Sequence, residues 1–308
     1  MRQVLLSMTI MVAMMAMVLL TGCDIDTRYN EDKFTLGFIP SERASELEPR
    51  AEALADFLED EMGVEVEIAV PTSYEPLMEG LRFGHIDASY MDSGPGWLAH
   101  MNANAEVVLA EVNDGSSYYH GEIFVHKDSD LETLEDVIGT RIAFTSWTGS
   151  SGFILPIGEM INRGMITVDG SDFSDLERAI QQHFENHYVG GGYRQALRFL
   201  VEGRVDVAGG AHDAPERFLD PEEREEVRTL ERLGRVPSHP IVVGEHVPEE
   251  VREKFISAMM KLNEPENVHI IQELYGVDGL IETDTEEHLG DFGPAFEALR
   301  GIRDQVMD

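Results

Sequence analysis

Cysteine is almost absent: Cys23 is the only one in 308 residues. A single cysteine excludes any disulfide within the chain. Lysine is nearly as scarce, with 4 residues beside 19 arginines, and these 23 cations face 59 Asp and Glu for a formal net charge of -36. That balance argues against nucleic acid and anionic membrane surfaces as partners. No G-x-S-x-G elbow, P-loop or zinc-protease helix motif is present, and no internal repeat or low-complexity tract. With 59 acids in the chain, a pair of carboxylates carries no signal for acid–base catalysis. His183 and His187, in "HFENH", have the four-residue offset of a helical metal site, but no acidic third ligand stands at a telling offset. They are read as surface histidines of a polar helix, and no metal or cofactor is expected.

What is present begins at the first residue. "MRQVLLSMTIMVAMMAMVLLTGC" has one early cation, Arg2, then an apolar run and small residues. That is the build of a secretion signal over residues 1–23, the alternative being an uncleaved transmembrane helix. "LTGC" resembles the lipobox of bacterial lipoproteins, which implies a lipid on Cys23. Asp24 then resembles the signal for retention at the inner membrane, giving a periplasmic or extracytoplasmic site on the cytoplasmic membrane. Residues 24–32 read as a polar tether. The acidic residues are spread along the chain rather than gathered in a tail. They suit a solvated, halophile-like surface, or a face for a basic partner.

Periodicity sets the fold class. "FTLGFIP" reads as a strand, and Leu54, Phe57, Leu58 and Met62 have helical spacing closed by Gly63. "VEVEIAV" alternates as a strand, "SYEPLMEGLRFG" is helical and "HIDASYM" is a strand again. Strand–helix alternation predicts open α/β sheets with right-handed parallel crossovers. Further on, "GEIFVHKDS" reads as a strand, "LETLEDVIG" as a short helix and "RIAFTS" as a strand. "YRQALRFLVEG" has one apolar face, and "RVDVAGGA" and "HPIVVGEHVP" are strands. "FTSWTGSSGFILPIGEM" then reads as strand end, small-residue loop and helix. Such a loop leaves backbone N–H groups free where a helix dipole begins, which suits an anion.

Several segments together resemble the phosphate/phosphite/phosphonate substrate-binding proteins of ABC transporters. These are the opening strand and helix followed by Tyr74, "YYHGEIFVHKDSDLETLEDVIGTRIAF", "GSSGFILP", "EGRVDVA" and "SHPIVVGEHVP". The resemblance runs from about Thr35 to about Arg300. It implies a two-lobed type II periplasmic binding protein, each lobe an open, mostly parallel sheet flanked by helices. Lobe one is expected at 33–125 plus 236–308 and lobe two at 126–235, with hinge strands near "IFVHK" and "RVPSHPIVV". It implies a monomeric, non-enzymatic receptor that closes on a small phosphorus oxyanion and serves an ABC permease. The alternative is a sensing module of the same fold coupled to a membrane signalling protein.

Residue by residue, the resemblance places Gly149, Ser150, Ser151 and Gly152 in the anion loop, with Gly149 where the family usually has Ser. Tyr119 matches a Tyr entering the first crossing, with Tyr118 its alternative. Tyr90 ends a strand at the expected cleft edge. Asp92 departs from the family; it either caps the next helix or accepts from a protonated phosph(on)ate or an ammonium. Tyr193 stands where many relatives carry His, keeping a donor without a cation. An Asp expected some five residues after Asp206 is missing; that place is Ala211, and His212 and Asp213 are the neighbours available to replace it.

Overall fold

The computed structural model describes residues 29–38, 44–71, 73–299 and 301–303. The signal, Cys23 and the first part of the tether lie outside them. Eleven strands among the described residues form two sheets. The first has the order β11-β4-β10-β3-β1-β2 and the second β7-β6-β8-β5-β9. Their strands are β1 (Lys33–Gly37), β2 (Glu65–Ala69), β3 (Ala88–Tyr90), β4 (Glu106–Val112), β5 (Tyr118–His126) and β6 (Arg141–Phe144). The rest are β7 (Asn186–Val189), β8 (Val207–Ala211), β9 (Val227–Pro237), β10 (Pro240–Val243) and β11 (Gly279–Glu282).

The first sheet is built by the crossovers that the periodicity predicts. Helix α1 (Ala44–Met62) buries Leu47, Ala51, Leu54, Leu58 and Met62 from one stripe, and α2 (Tyr74–Phe83) buries Leu77, Met78 and Leu81. Gly84, at φ 73°, ends α2 by returning its N–H to Gly80 O. β1, β2 and β3 pair in parallel, whereas β10, β4 and β11 join antiparallel. The second sheet is mixed in the same way, parallel at β7-β6-β8 and antiparallel at β8-β5-β9. The antiparallel pairs arise because the chain enters and leaves this sheet through β5 and β9. It passes between sheets after Val112 and again between Pro237 and Pro240. "IFVHK" therefore lies inside and just beyond β5 rather than between sheets.

The helix expected in "LETLEDVIG" shrinks to one 3-10 turn, Glu135–Val137. Asp136 accepts from the Glu132 and Thr133 N–H groups, and Gly139 turns to φ 86°, so the segment is closed before it can propagate. Helix α3 (Ser93–Ala103) follows β3. Helix α4 (Leu155–Asn162) follows β6 through a π-helical turn at Ser150–Ile154. Helix α5 (Phe173–His183) stops at His183, and His187 lies on β7, so the two histidines do not share a helix. Helix α6 (Gly192–Val201) buries Ala196, Leu197 and Leu200 in the second core. Short helices α7 (Ala214–Phe218) and α8 (Pro221–Arg224) precede β9; α9 (Glu249–Met260), α10 (His269–Tyr275), α11 (Thr285–Leu289) and α12 (Gly293–Ala298) follow β10. The chain end ties the two sheets together: Asn162 of α4 donates to Pro294 O, and Arg235 of β9 pairs with Asp291 at 2.6 Å.

Candidate functional site

The turn before α4 is shaped by what its glycines rest on. A Cβ on Gly149 or on Gly152 would come closer than 3.0 Å to the Thr145 hydroxyl. The glycines let the turn fold down on the end of β6. The first bonds of the turn come from Phe153 and Ile154, both to Gly149 O at 2.9 and 3.0 Å. The N–H groups of Ser150, Ser151 and Gly152 are therefore not used by the turn. Ser150 is half-buried, and Ser151 is fully buried with its Oγ 2.8 Å from the Tyr193 hydroxyl.

Three consecutive glycines aim Tyr193 at that serine. Gly190, Gly191 and Gly192 have φ of 106°, 91° and 71°, a run of left-handed residues that side chains would strain. Gly192 donates to Thr145 O, so the start of α6 is anchored to the strand end that carries the other turn. The Tyr193 ring stacks on Phe218 at 5.6 Å. Tyr119, near the start of β5, completes the group. Burial pushes its phenol far up in pKa, with Tyr193 and Ser151 beside it and the charge of Asp92 acting on it from the first sheet. Hydroxyl and N–H donors thus gather here, an arrangement suited to oxyanion oxygens.

His212 and Asp213 are placed differently. His212 is exposed; its N–H donates to His120 O, and its ring lies edge-on to His120 at 6.1 Å. Asp213 pairs with Arg217, one turn along α7, at 3.2 Å. Among the described residues, neither is hydrogen-bonded to Ser151 or Tyr193.

The first sheet supplies a second cluster, and strand register explains it. β10 lies between β3 and β4, with Ile241 opposite Tyr90 and Pro240 opposite Ala110. Extending both pairings back along β10 puts His239 between Asp92 and Glu111. Its Nε2 lies 3.1 Å from Asp92 Oδ1 and its Nδ1 2.9 Å from Glu111 Oε2. The Tyr74 hydroxyl donates to Asp92 Oδ2 at 2.5 Å. Asp92 occupies the N-cap position of α3, yet its side chain makes no capping bond; both oxygens serve Tyr74 and His239 instead. Ser93 Oγ donates to Pro237 O at 2.9 Å, pinning the start of α3 to the end of β9.

Burial alone would lower the His239 pKa, but bonds to Asp92 and Glu111 outweigh it and raise the imidazole to about 10. Burial would likewise raise the Asp92 carboxyl, but His239 and Tyr74 bring it below the ordinary range. Glu111 is 2 % exposed, whereas the Asp92 and His239 side chains keep 43 and 40 % exposure. Tyr90 is buried beneath this cluster, stacked on Phe38 at 5.3 Å, rather than at an open edge. His239 and Glu111 carry no sequence motif. The strand pattern of "HPIVV" with that of "HIDASYM" is the signal that brings them to Asp92.

The fold and sequence have relatives. The chain is 24% identical over 252 residues to the phosphonates-binding periplasmic protein of Escherichia coli, covering 79% of this chain and 70% of that one. Among solved structures, XAC2383 of Xanthomonas citri bound to chloride ion superposes with a TM-score of 0.69 at 19% identity, covering 89% of this chain and 100% of that one. PhnD1 of Prochlorococcus marinus in complex with methylphosphonate gives 0.58 at 16% identity, covering 88 and 100%. Residues 36–288 match the family of periplasmic phosphonate substrate-binding proteins of ABC transporters, and the chain belongs to that family of transport receptors, which are not enzymes.

Proposed function

We propose that this protein is a lipid-anchored receptor that takes a phosphorus oxyanion, whether phosphonate, phosphite or phosphate, between its two sheets and presents it to an ABC importer. The sheets act as the two lobes, and the passages after Val112 and around Ser238–His239 act as the hinge. The observation that carries the proposal is the donor group of Ser151, Tyr193 and Tyr119 beside the N–H groups of the Ser150–Gly152 turn, with Asp92 acting on it from the other sheet. Hydroxyls and backbone dipoles hold oxyanion oxygens without a cation, which fits a chain so poor in lysine. The methylphosphonate complex of the Prochlorococcus marinus relative supports the ligand class.

Calorimetric titration with phosphate, phosphite, methylphosphonate and 2-aminoethylphosphonate tests it. A hydrogen bond to a charged partner contributes about 1.5–3 kcal/mol. Ser151→Ala should therefore weaken the best ligand about ten- to a hundredfold. An unchanged affinity in that variant would remove Ser151 from the site. The anchor rests on Cys23, and Cys23→Ser should release the protein from membranes; retention in the membrane fraction would contradict lipidation.

A further inference from the structure

The two walls of the proposed site differ in hydrogen-bonding sense. On the second sheet, Ser151, Tyr193 and Tyr119 offer hydroxyls. On the first, among the described residues, the side-chain donors that meet Asp92 are already committed to it. Both ring nitrogens of His239 face carboxylate oxygens, at 3.1 and 2.9 Å. A neutral imidazole can donate from only one of them, so this geometry calls for the doubly protonated ring. That imidazolium has no N–H left for a ligand. The Tyr74 hydroxyl is spent on Asp92. Two carboxylates share one imidazolium; Glu111 is 2 % exposed, so within this cluster the carboxylate open to solvent is Asp92, whose side chain is 43 % exposed. Two of its lone-pair directions are taken and two are open.

We infer that Asp92 is a specificity residue that accepts a hydrogen bond from the ligand, so that the site selects a phosphorus oxyanion carrying its own donor over a fully deprotonated dianion. The donor is either the P–OH of a singly protonated oxyanion or the ammonium of an aminoalkylphosphonate. A dianion would set its charge against Asp92 with no proton between them. The inference rests on the site reading proposed above. Among the described residues, Tyr74 from α2 and His239 bond Asp92, Glu111 holds the other ring nitrogen of His239, and the Tyr119 phenol of β5 is within reach of the Asp92 charge; the Tyr275 ring of α10 lies 6.1 Å from that of His239. With His239 raised to about 10 and Asp92 lowered, this pair holds its charges between pH 6.5 and 8.5. His120 is lowered, by burial and then by Arg232, and is neutral at pH 8.5. A neutral imidazole can itself take up a proton when an anion binds, so the Asp92→Asn variant is what assigns the uptake to the bond between ligand and Asp92.

The test is calorimetry on the purified full chain with methylphosphonate and 2-aminoethylphosphonate. Titrations are run at pH 6.5 and 8.5, each in two buffers of different ionisation enthalpy. A P–OH donor predicts that methylphosphonate binds more weakly at pH 8.5 and takes up about one proton there. An ammonium donor predicts that 2-aminoethylphosphonate binds at least tenfold tighter than methylphosphonate at pH 8.5 without that uptake. Asp92→Asn keeps the shape and adds an amide donor; it should abolish the proton uptake and any ammonium preference. Methylphosphonate binding that tightens with pH without proton uptake, with no advantage for the amine, overturns the inference and leaves the site reading standing. An Asp92→Asn variant with an unchanged profile does the same. No binding of either ligand, phosphate or phosphite at any pH overturns both. The proton count is read on the wild-type chain, so a poorly folded variant does not leave the question open.

Discussion

His239 is the residue at which the fold and the proposed site meet. It sits between two carboxylates because β10 threads between β3 and β4, and it holds its proton because of them. Its folded pKa, about 10, lies above the ordinary value of about 6.5 for an unfolded chain. The folded state binds that proton more tightly, so the stabilisation is complete below about pH 6.5 and drains away as pH rises toward 10. The lowered Asp92 pKa works in the opposite sense, giving stability above the ordinary carboxylate range that is lost as pH falls. Urea unfolding from pH 6.5 to 9.5 should show falling stability in the wild type and a flatter profile in His239→Gln. Parallel profiles would remove His239 from the alkaline limb. None of this was legible from "SHP" alone, because Asp92, Glu111 and His239 become neighbours only through strand register.

At the scale of elements, the readable parts were those with strong periodicity. The α1, α2 and α6 stripes stand buried where their spacing puts them, and the strands of "VEVEIAV" and "RVDVAGGA" form where their patterns put them, the second wholly buried and the first burying Val66. Weaker patterns misled or stayed silent. β9 is a largely half-exposed edge strand with four arginine or glutamate side chains along its length, so it lacks the alternation of a buried strand. β11 has only four residues, and "LETLEDVIG" has helical composition but closes through Asp136 and Gly139. The small-residue loop was recognised, but its glycines answer first to Thr145. Another glycine has a similar duty between elements. A Cβ on Gly158 of α4 would come closer than 3.0 Å to Ala295 O of α12. Gly158→Val should therefore lower stability by about 1–3 kcal/mol through overpacking. Thermal unfolding measures it, and an unchanged midpoint would show that the α4–α12 contact is dispensable.

For the whole molecule, the excess of 59 acids over 23 cations is the dominant electrostatic fact. The arginines are drawn into pairs, as in Arg141 with Asp206 at 2.6 Å and Arg232 with the buried Glu122 at 2.9 Å, which leaves surplus carboxylates to repel one another. Screening shortens from about 30 Å at 0.01 M salt to about 3 Å at 1 M. The melting temperature should rise over that range; a flat response would deny the acidic surface a role in salt adaptation. The central claim is that one phosphorus oxyanion is held from both sheets at once. Amide chemical shifts of the full chain on addition of methylphosphonate test it most directly. Ser150, Ser151, Gly152 and Tyr193 of the second sheet's layer should move together with Asp92 and His239 of the first, at a single saturation point. Shifts confined to one of these groups, or none at millimolar ligand, would contradict the account.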